Sequence, residues 1–161
     1  MSTNDHRKTG ILTPEQINAL LPEIPEKGKI AIIECVEDIP CDPCVVACPS
    51  GAITMESMVS KPRLLAEKCQ GCGTCIAHCP GLAIFVVDFG YSDDEAVVML
   101  PYEFSPLPEK GERVELLDRE GEKRGEGIIV KKVAHKNRTA VLSVAVPRDL
   151  AMQVRHVRRI A

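Results

Sequence analysis

The chain has 161 residues, 45% hydrophobic and only 3% aromatic, with no tryptophan and a formal net charge of −3. That length fits one domain or two small ones, with a core of Val, Ile, Leu and Ala. An acidic chain so poor in aromatics offers little to nucleic acid, no apolar run approaches membrane-spanning length, and the polar start MSTNDHRKTG lacks signal-peptide character.

Residues 1–28 read as an N-terminal arm whose first ten residues are expected to lack fixed structure. Thr13, Pro14 and Glu15 open a short helix as N-cap, first helical residue and first-turn acid. Ile17, Leu20 and Leu21 give it an apolar stripe, and Pro22 and Pro25 end it. Residues 29–35, KIAIIEC, predict a strand with a buried centre. Val45 to Cys48 allow only a short helix before Pro49, Ala52 to Met55 form another strand, and the polar residues 56–61 turn the chain. Arg63 to Ala66 begin a second half that closes on a strand within Gly81 to Asp88.

The chemistry lies between these elements. Residues 69–80 read CQGCGTCIAHCP, the C-x2-C-x2-C-x3-C-P spacing of an iron–sulfur run whose fourth cysteine serves the other cluster of a pair. Zinc ribbons instead separate two C-x2-C pairs by longer stretches. Gly71 and Gly73 let the backbone close in on a cluster, and Pro80 turns the chain away. Thirty-one positions earlier CDPCVVACP, Cys41 to Pro49, repeats the last three cysteines and the proline, and Ala52-Ile53 echoes Ala83-Ile84. This is an internal duplication. Eight cysteines at such spacing, without a signal peptide, predict reduced thiols and a cytoplasmic protein rather than disulfides.

These runs resemble the bacterial-type ferredoxins that carry two [4Fe-4S] clusters. The resemblance implies that Cys35, Cys41, Cys44 and Cys79 hold cluster I and that Cys48, Cys69, Cys72 and Cys75 hold cluster II. Cys35 departs from the pattern, lying six positions before Cys41 where three are usual. Either it ligates across a loop in which Glu37, Asp38 and Ile39 bulge, or it is a spare thiol. Ile32, Val45, Ile53, Leu65, Ile76, Ile84 and Val86 are the expected shield around the clusters. His78 is read as a partly exposed helix residue rather than a ligand.

Residues 93–112, including the proline-rich PYEFSPLPEKGE, read as a linker, with Val97 to Leu100 as a possible extra strand. Beyond it, 113–118, 127–133 and 140–146 are β-like. The end of the chain, with Leu150, Val154 and Val157 at i, i+4 and i+7, suggests a C-terminal helix or a helix running into a final strand. The expected architecture is α+β: a ferredoxin-like dicluster domain with a pseudo-twofold repeat over 29–92 and a small β-rich domain over 113–161. Charge divides along the same line, with 7 Lys/Arg against 14 Asp/Glu in residues 1–95 and 13 against 9 in residues 96–161.

No nucleophile–base pair or nucleotide loop appears, so no catalytic site is expected. IPCDPC, LPYEF and VPRDLA make the whole chain similar to ferredoxin-like small subunits of FAD-dependent proline, hydroxyproline or glycerol-3-phosphate dehydrogenases. That resemblance implies flavoprotein partner subunits. Residues 96–161, basic in balance and without chemistry of their own, are expected to fix an otherwise complete carrier in its complex, with Arg155, Arg158 and Arg159 as candidates for the contact. A free-standing soluble ferredoxin and a cluster-stabilised structural or redox-sensing module are the alternatives.

Overall fold

A computed structural model describes residues 6–160. Of the stretch expected to lack structure, residues 1–5 lie outside the described residues and His6–Thr9 form a single helical turn, α1. The arm continues into α2, Pro14–Leu20, where the Thr13 hydroxyl accepts from the Gln16 N–H while the Gln16 side chain accepts from the Thr13 N–H. This reciprocal cap satisfies donors that a helix start leaves unpaired.

Two short helices follow at equivalent places in the repeat: α3, Pro43–Ala47, and α4, Thr74–His78. Around them lie β1, Lys29–Ile33, the small ladder of β2, Ile53–Thr54, with β3, Arg63–Leu64, and then β4, Ile84–Asp88. The remaining strands are β5, Glu95–Tyr102, β6, Arg113–Leu117, β7, Lys123–Ala134, β8, Ala140–Pro147, and β9, His156–Arg159. Seven of them make one antiparallel sheet in the order β1-β4-β5-β8-β7-β6-β9.

Side chains alternate across a strand, and in β1 and β4 both faces are buried. Ile30 and Ile32, with Phe85 and Val87, enter one core together with Val98, Leu100, Leu116, Ile129, Leu142, Val144 and Val157. Ala31 and Ile33, with Ile84 and Val86, enter a second core with Cys44, Ile53, Cys75, Ile76 and Val141. The first core contains residues from both edge strands, β1 and β9, so the sheet curls round to face itself. The second lies on its outer surface, beneath α3 and α4. Each fully buried aliphatic side chain contributes about 1.5–3 kcal/mol, and both cores draw on both halves of the sequence.

The fold is α+β and strand-rich, but its division differs from the sequence expectation. Residues 95–102, placed in a linker, form β5 at the interior of the sheet, between β4 and β8. The prolines that suggested a boundary lie at its end, Pro101, and in the connection beyond it. The β-rich segment therefore continues the sheet of the first half instead of standing apart as a second domain. The C-terminal helix is replaced by a 3-10 turn, Arg148–Leu150, and then β9. Val154 and Val157 are buried, but their spacing reflects a turn running into a strand, not a helical face. Among the described residues no helix is long and apolar enough to cross a membrane.

Candidate metal centres

The duplication places Cys44 on α3 and Cys75 on α4, both buried, where the two helices pack together. The thiols then sort into two groups that cross the sequence repeat. Cys35, Cys41, Cys44 and Cys79 line one cavity of about 530 Å³. Cys48, Cys69, Cys72 and Cys75 line a second, narrower one. Each group takes three cysteines from one run and one from the other, because Cys48 and Cys79 end their helices facing the opposite half.

The same grouping appears in the electrostatics. Burial pushes the Cys44 thiol up to about 11, and the charges of Cys79, Cys35 and Cys41 add to the rise. Burial pushes Cys75 up to about 12, with Cys69, Cys72 and Cys48 adding to it. Four thiolates cannot share so small a space without a compensating cation, and a coordinated metal supplies that charge. The thiols stand around the cavities rather than converging on one point: no three described His, Cys, Asp or Glu side chains are close enough to hold a single metal ion.

The backbone repeats the same device in each half. The Ala52 N–H donates to Cys48 Sγ at 3.3 Å and the Ala83 N–H to Cys79 Sγ at 3.5 Å, each four residues on. For Cys48 burial acts upward, but the Ser50 hydroxyl and backbone N–H donors outweigh it and hold the thiol below its ordinary value. Ile53, Ile76, Ile84 and Val86 form the apolar wall as expected, with Val45 packed against it. Ile32 does not, since it faces the other core, and Leu65 is only half-buried; Leu64 lines the second cavity instead.

Cys35 falls within the first group. Of its three extra loop residues, Glu37 and Ile39 line the cavity and Asp38 pairs with Lys61 at 3.4 Å. Gly71 and Gly73 have φ of 64° and 79°, which an L side chain adopts only with strain. A Cβ would moreover overlap Lys29 at Gly71 and the Met99 methyl at Gly73. The exposed His78 is occupied locally, its Nδ1 donating to the Thr74 carbonyl at 2.8 Å.

Sequence reasoning missed a charged cluster beside the first cavity. Glu34 accepts hydrogen bonds from both Arg119 and Arg155, and all three line that cavity. Burial alone would raise the Glu34 carboxyl, but the Arg119 hydrogen bond and the charges of both arginines hold it below the usual range. A lone acid ending an apolar strand, next to Cys35, was the available signal. Its partners lie 85 and 121 positions away, so no local pattern revealed them. Arg155 is therefore an interior residue, and Arg158 and Arg159 pair with Glu115 and Glu112 in their own sheet. The N-terminal arm also reaches this cavity, with His6, Gly10, Ile11 and Leu12 along its wall.

Residues 34–83 match the 4Fe-4S dicluster domain family. The segment is also similar to the polyferredoxin-like subunit of an aliphatic sulfonate oxidoreductase from Pyrococcus furiosus, 34% identical over 67 residues, which covers 35% of this chain and 38% of that protein. The chain thus spans about two fifths of that relative's length. No solved structure matches the chain. The protein carries [4Fe-4S] clusters.

Proposed function

We propose that the chain is an electron-transfer subunit of a larger oxidoreductase, exchanging electrons with flavin-containing subunits. One cluster would be held by Cys35, Cys41, Cys44 and Cys79, the other by Cys48, Cys69, Cys72 and Cys75. The observation that carries the ligand sets is the crossed grouping of eight thiols around two cavities. The clusters supply one-electron chemistry. The protein's own residues set its conditions: the Ile53, Ile76, Ile84 and Val86 wall excludes water, and the Ala52 and Ala83 N–H groups donate to ligand sulfurs, both of which bear on the potential. Cys72 is exposed, so the second centre offers the shorter path to a partner's surface.

The subunit reading is supported by the relative's description as one subunit of an oxidoreductase and, for the flavin, by the motifs that resemble small subunits of FAD-dependent dehydrogenases. The test is purification of the native protein from its own cells under anaerobic conditions. We expect flavin-containing chains to accompany it in fixed ratio, and reduction of that flavin by substrate to bleach the iron–sulfur absorbance. A protein that purifies alone, while retaining its clusters, supports the free-standing carrier instead.

A further inference from the structure

The two cavities differ in charge. The described lining of the second contains no charged side chain besides its cysteines. The first contains Arg119, Arg155, Glu34 and Glu37. Glu37 is exposed, whereas Arg155 is 4% and Glu34 8% exposed at the side chain. Charges in solvent are screened and buried ones much less so, so the buried group dominates this contrast.

Within that group the hydrogen bonds do not balance. Arg155 uses Nε on Glu34 and Nη1 on the carbonyls of Ala151 and Val154. Its guanidinium lies over the Phe85 ring, 4.9 Å from the centroid. Its Nη2 is fully buried and has no partner. A buried unpaired donor is costly, the more so when charged, and here it leaves the Arg155 charge incompletely offset. Glu34 cannot balance the group either, since one carboxylate faces two guanidinium ions. The surplus positive charge borders the cavity of Cys35, Cys41, Cys44 and Cys79.

We propose that Arg155 is a charge-tuning residue for the cluster at Cys35, Cys41, Cys44 and Cys79: its buried charge stabilises that cluster's reduced form, so it has the higher potential of the two. This rests on the ligand sets given above. Reduction adds one electron, and hence one negative charge, to the cluster. A fixed cation nearby favours that state, and the uncharged lining of the second cavity gives its cluster no such help. An electron arriving at the second centre, with its exposed Cys72, then runs downhill to the first.

The experiment is an EPR-monitored redox titration of the full chain with both clusters loaded. Cys41→Ser identifies which transition belongs to the first cluster. In Arg155→Gln we expect that transition to move to lower potential, with the other unchanged. In Arg155→Lys, which keeps the charge but loses the planar fork, the shift should be smaller in the same direction. In Glu34→Gln, which removes the opposing charge, the same transition should move to higher potential. Should Arg155→Gln not fold, the opposite signs of the other two variants carry the test. Unmoved transitions, equal movement of both, or shifts of one sign in Arg155→Lys and Glu34→Gln overturn the proposal. Failure of the ligand sets shows separately: Cys79→Ser would then perturb the transition that Cys41→Ser leaves alone, whatever Arg155 does.

Discussion

Glu34 Oε1 accepts from Arg155 Nε at 2.9 Å, joining the residue that follows β1 to the residue that precedes β9. These strands are the two edges of the sheet, so the ion pair stands where a closed barrel would carry strand hydrogen bonds. Removing one partner of a buried pair leaves the other charge uncompensated and costs about 3–5 kcal/mol. Glu34→Ala should destabilise the protein by that order in chemical denaturation. Arg119→Ala should cost less, since Arg119 is more exposed at 17% and its loss leaves Glu34 paired with Arg155. Equal and small effects would mean that the curled sheet holds its edges together by apolar packing alone.

A chain ending near Ser92 should fail to hold clusters. The sequence suggests that everything needed for a dicluster domain lies before that point. In the structure, however, Met99 of β5 packs beside Gly73, Val141 of β8 enters the core beneath α3 and α4, and Asn137 Nδ2 donates to the Ala77 carbonyl at 2.6 Å. Truncation would also strip Phe85 and Val87 of the core partners they have in later strands, Val98, Leu100, Leu142 and Val144 among them. We expect low soluble yield and iron far below the about eight atoms of two [4Fe-4S] clusters. A truncated chain with full iron would restore the picture of a detachable C-terminal segment.

The contrast shows which information was local. Cysteine spacing, prolines after Cys48 and Cys79, and the Ala-Ile echo all act within a few residues, so the thiol loops and their short helices were legible. The first strand was legible because its apolar run is continuous. The joining of the two halves was not, since it depends on β4 pairing with β5 across the turn at 89–94 and on Glu34 finding residues more than eighty positions away. Proline-rich composition then pointed to a linker over 93–112, whereas Val97 to Leu100, read as an extra strand, do form part of β5, with Val97, Val98 and Leu100 buried. The charge asymmetry has a structural account: Arg113, Lys123, Arg124, Lys132, Arg158 and Arg159 pair with acids of the same half, and Arg119 and Arg155 reach Glu34 in the acidic first half.

Gly73→Ala should damage the second centre selectively. Its φ of 79° costs an L residue about 1–2 kcal/mol, and the new methyl group would displace Met99. Because Gly73 lies between Cys72 and Cys75, the strain falls on that thiol group. The expected result is partial iron loss, with the EPR signal of the second cluster reduced more than that of the first. Met99→Ala in the same background should recover part of the loading, since it removes the steric component and leaves only the backbone strain.

Cys79→Ala tests the crossed arrangement. Cys79 is three residues from α4's Ile76 but lines the cavity of Cys35, Cys41 and Cys44. Its loss should lower or convert the cluster of that distant trio while the trio of Cys69, Cys72 and Cys75, with Cys48, keeps its signal. Cys48→Ala should do the reverse. Damage confined to the cluster nearest in sequence, in both variants, would show that each run serves its own site.

The last expectation concerns acid stability and lies outside the thiol loops. His156 begins β9, stacks on Tyr102 at 5.4 Å between ring centroids and touches Phe104 at 5.6 Å. Burial among these rings holds its imidazole below the ordinary 6.5, so the folded protein keeps it neutral where the unfolded chain would already be protonated. The unfolded state thus binds more protons in that window, and stability must fall with falling pH there. The decline begins as pH drops through the unfolded value near 6.5 and is complete below the lowered folded value. Above that window His156 contributes no pH dependence. Replacing it with Phe keeps the aromatic stack and removes the titrating group. The His156→Phe protein should therefore match the parent in thermal midpoint near pH 8 and exceed it near pH 5. Parallel midpoints across the whole range would show that the ring accepts its proton in the folded protein as readily as in the unfolded chain.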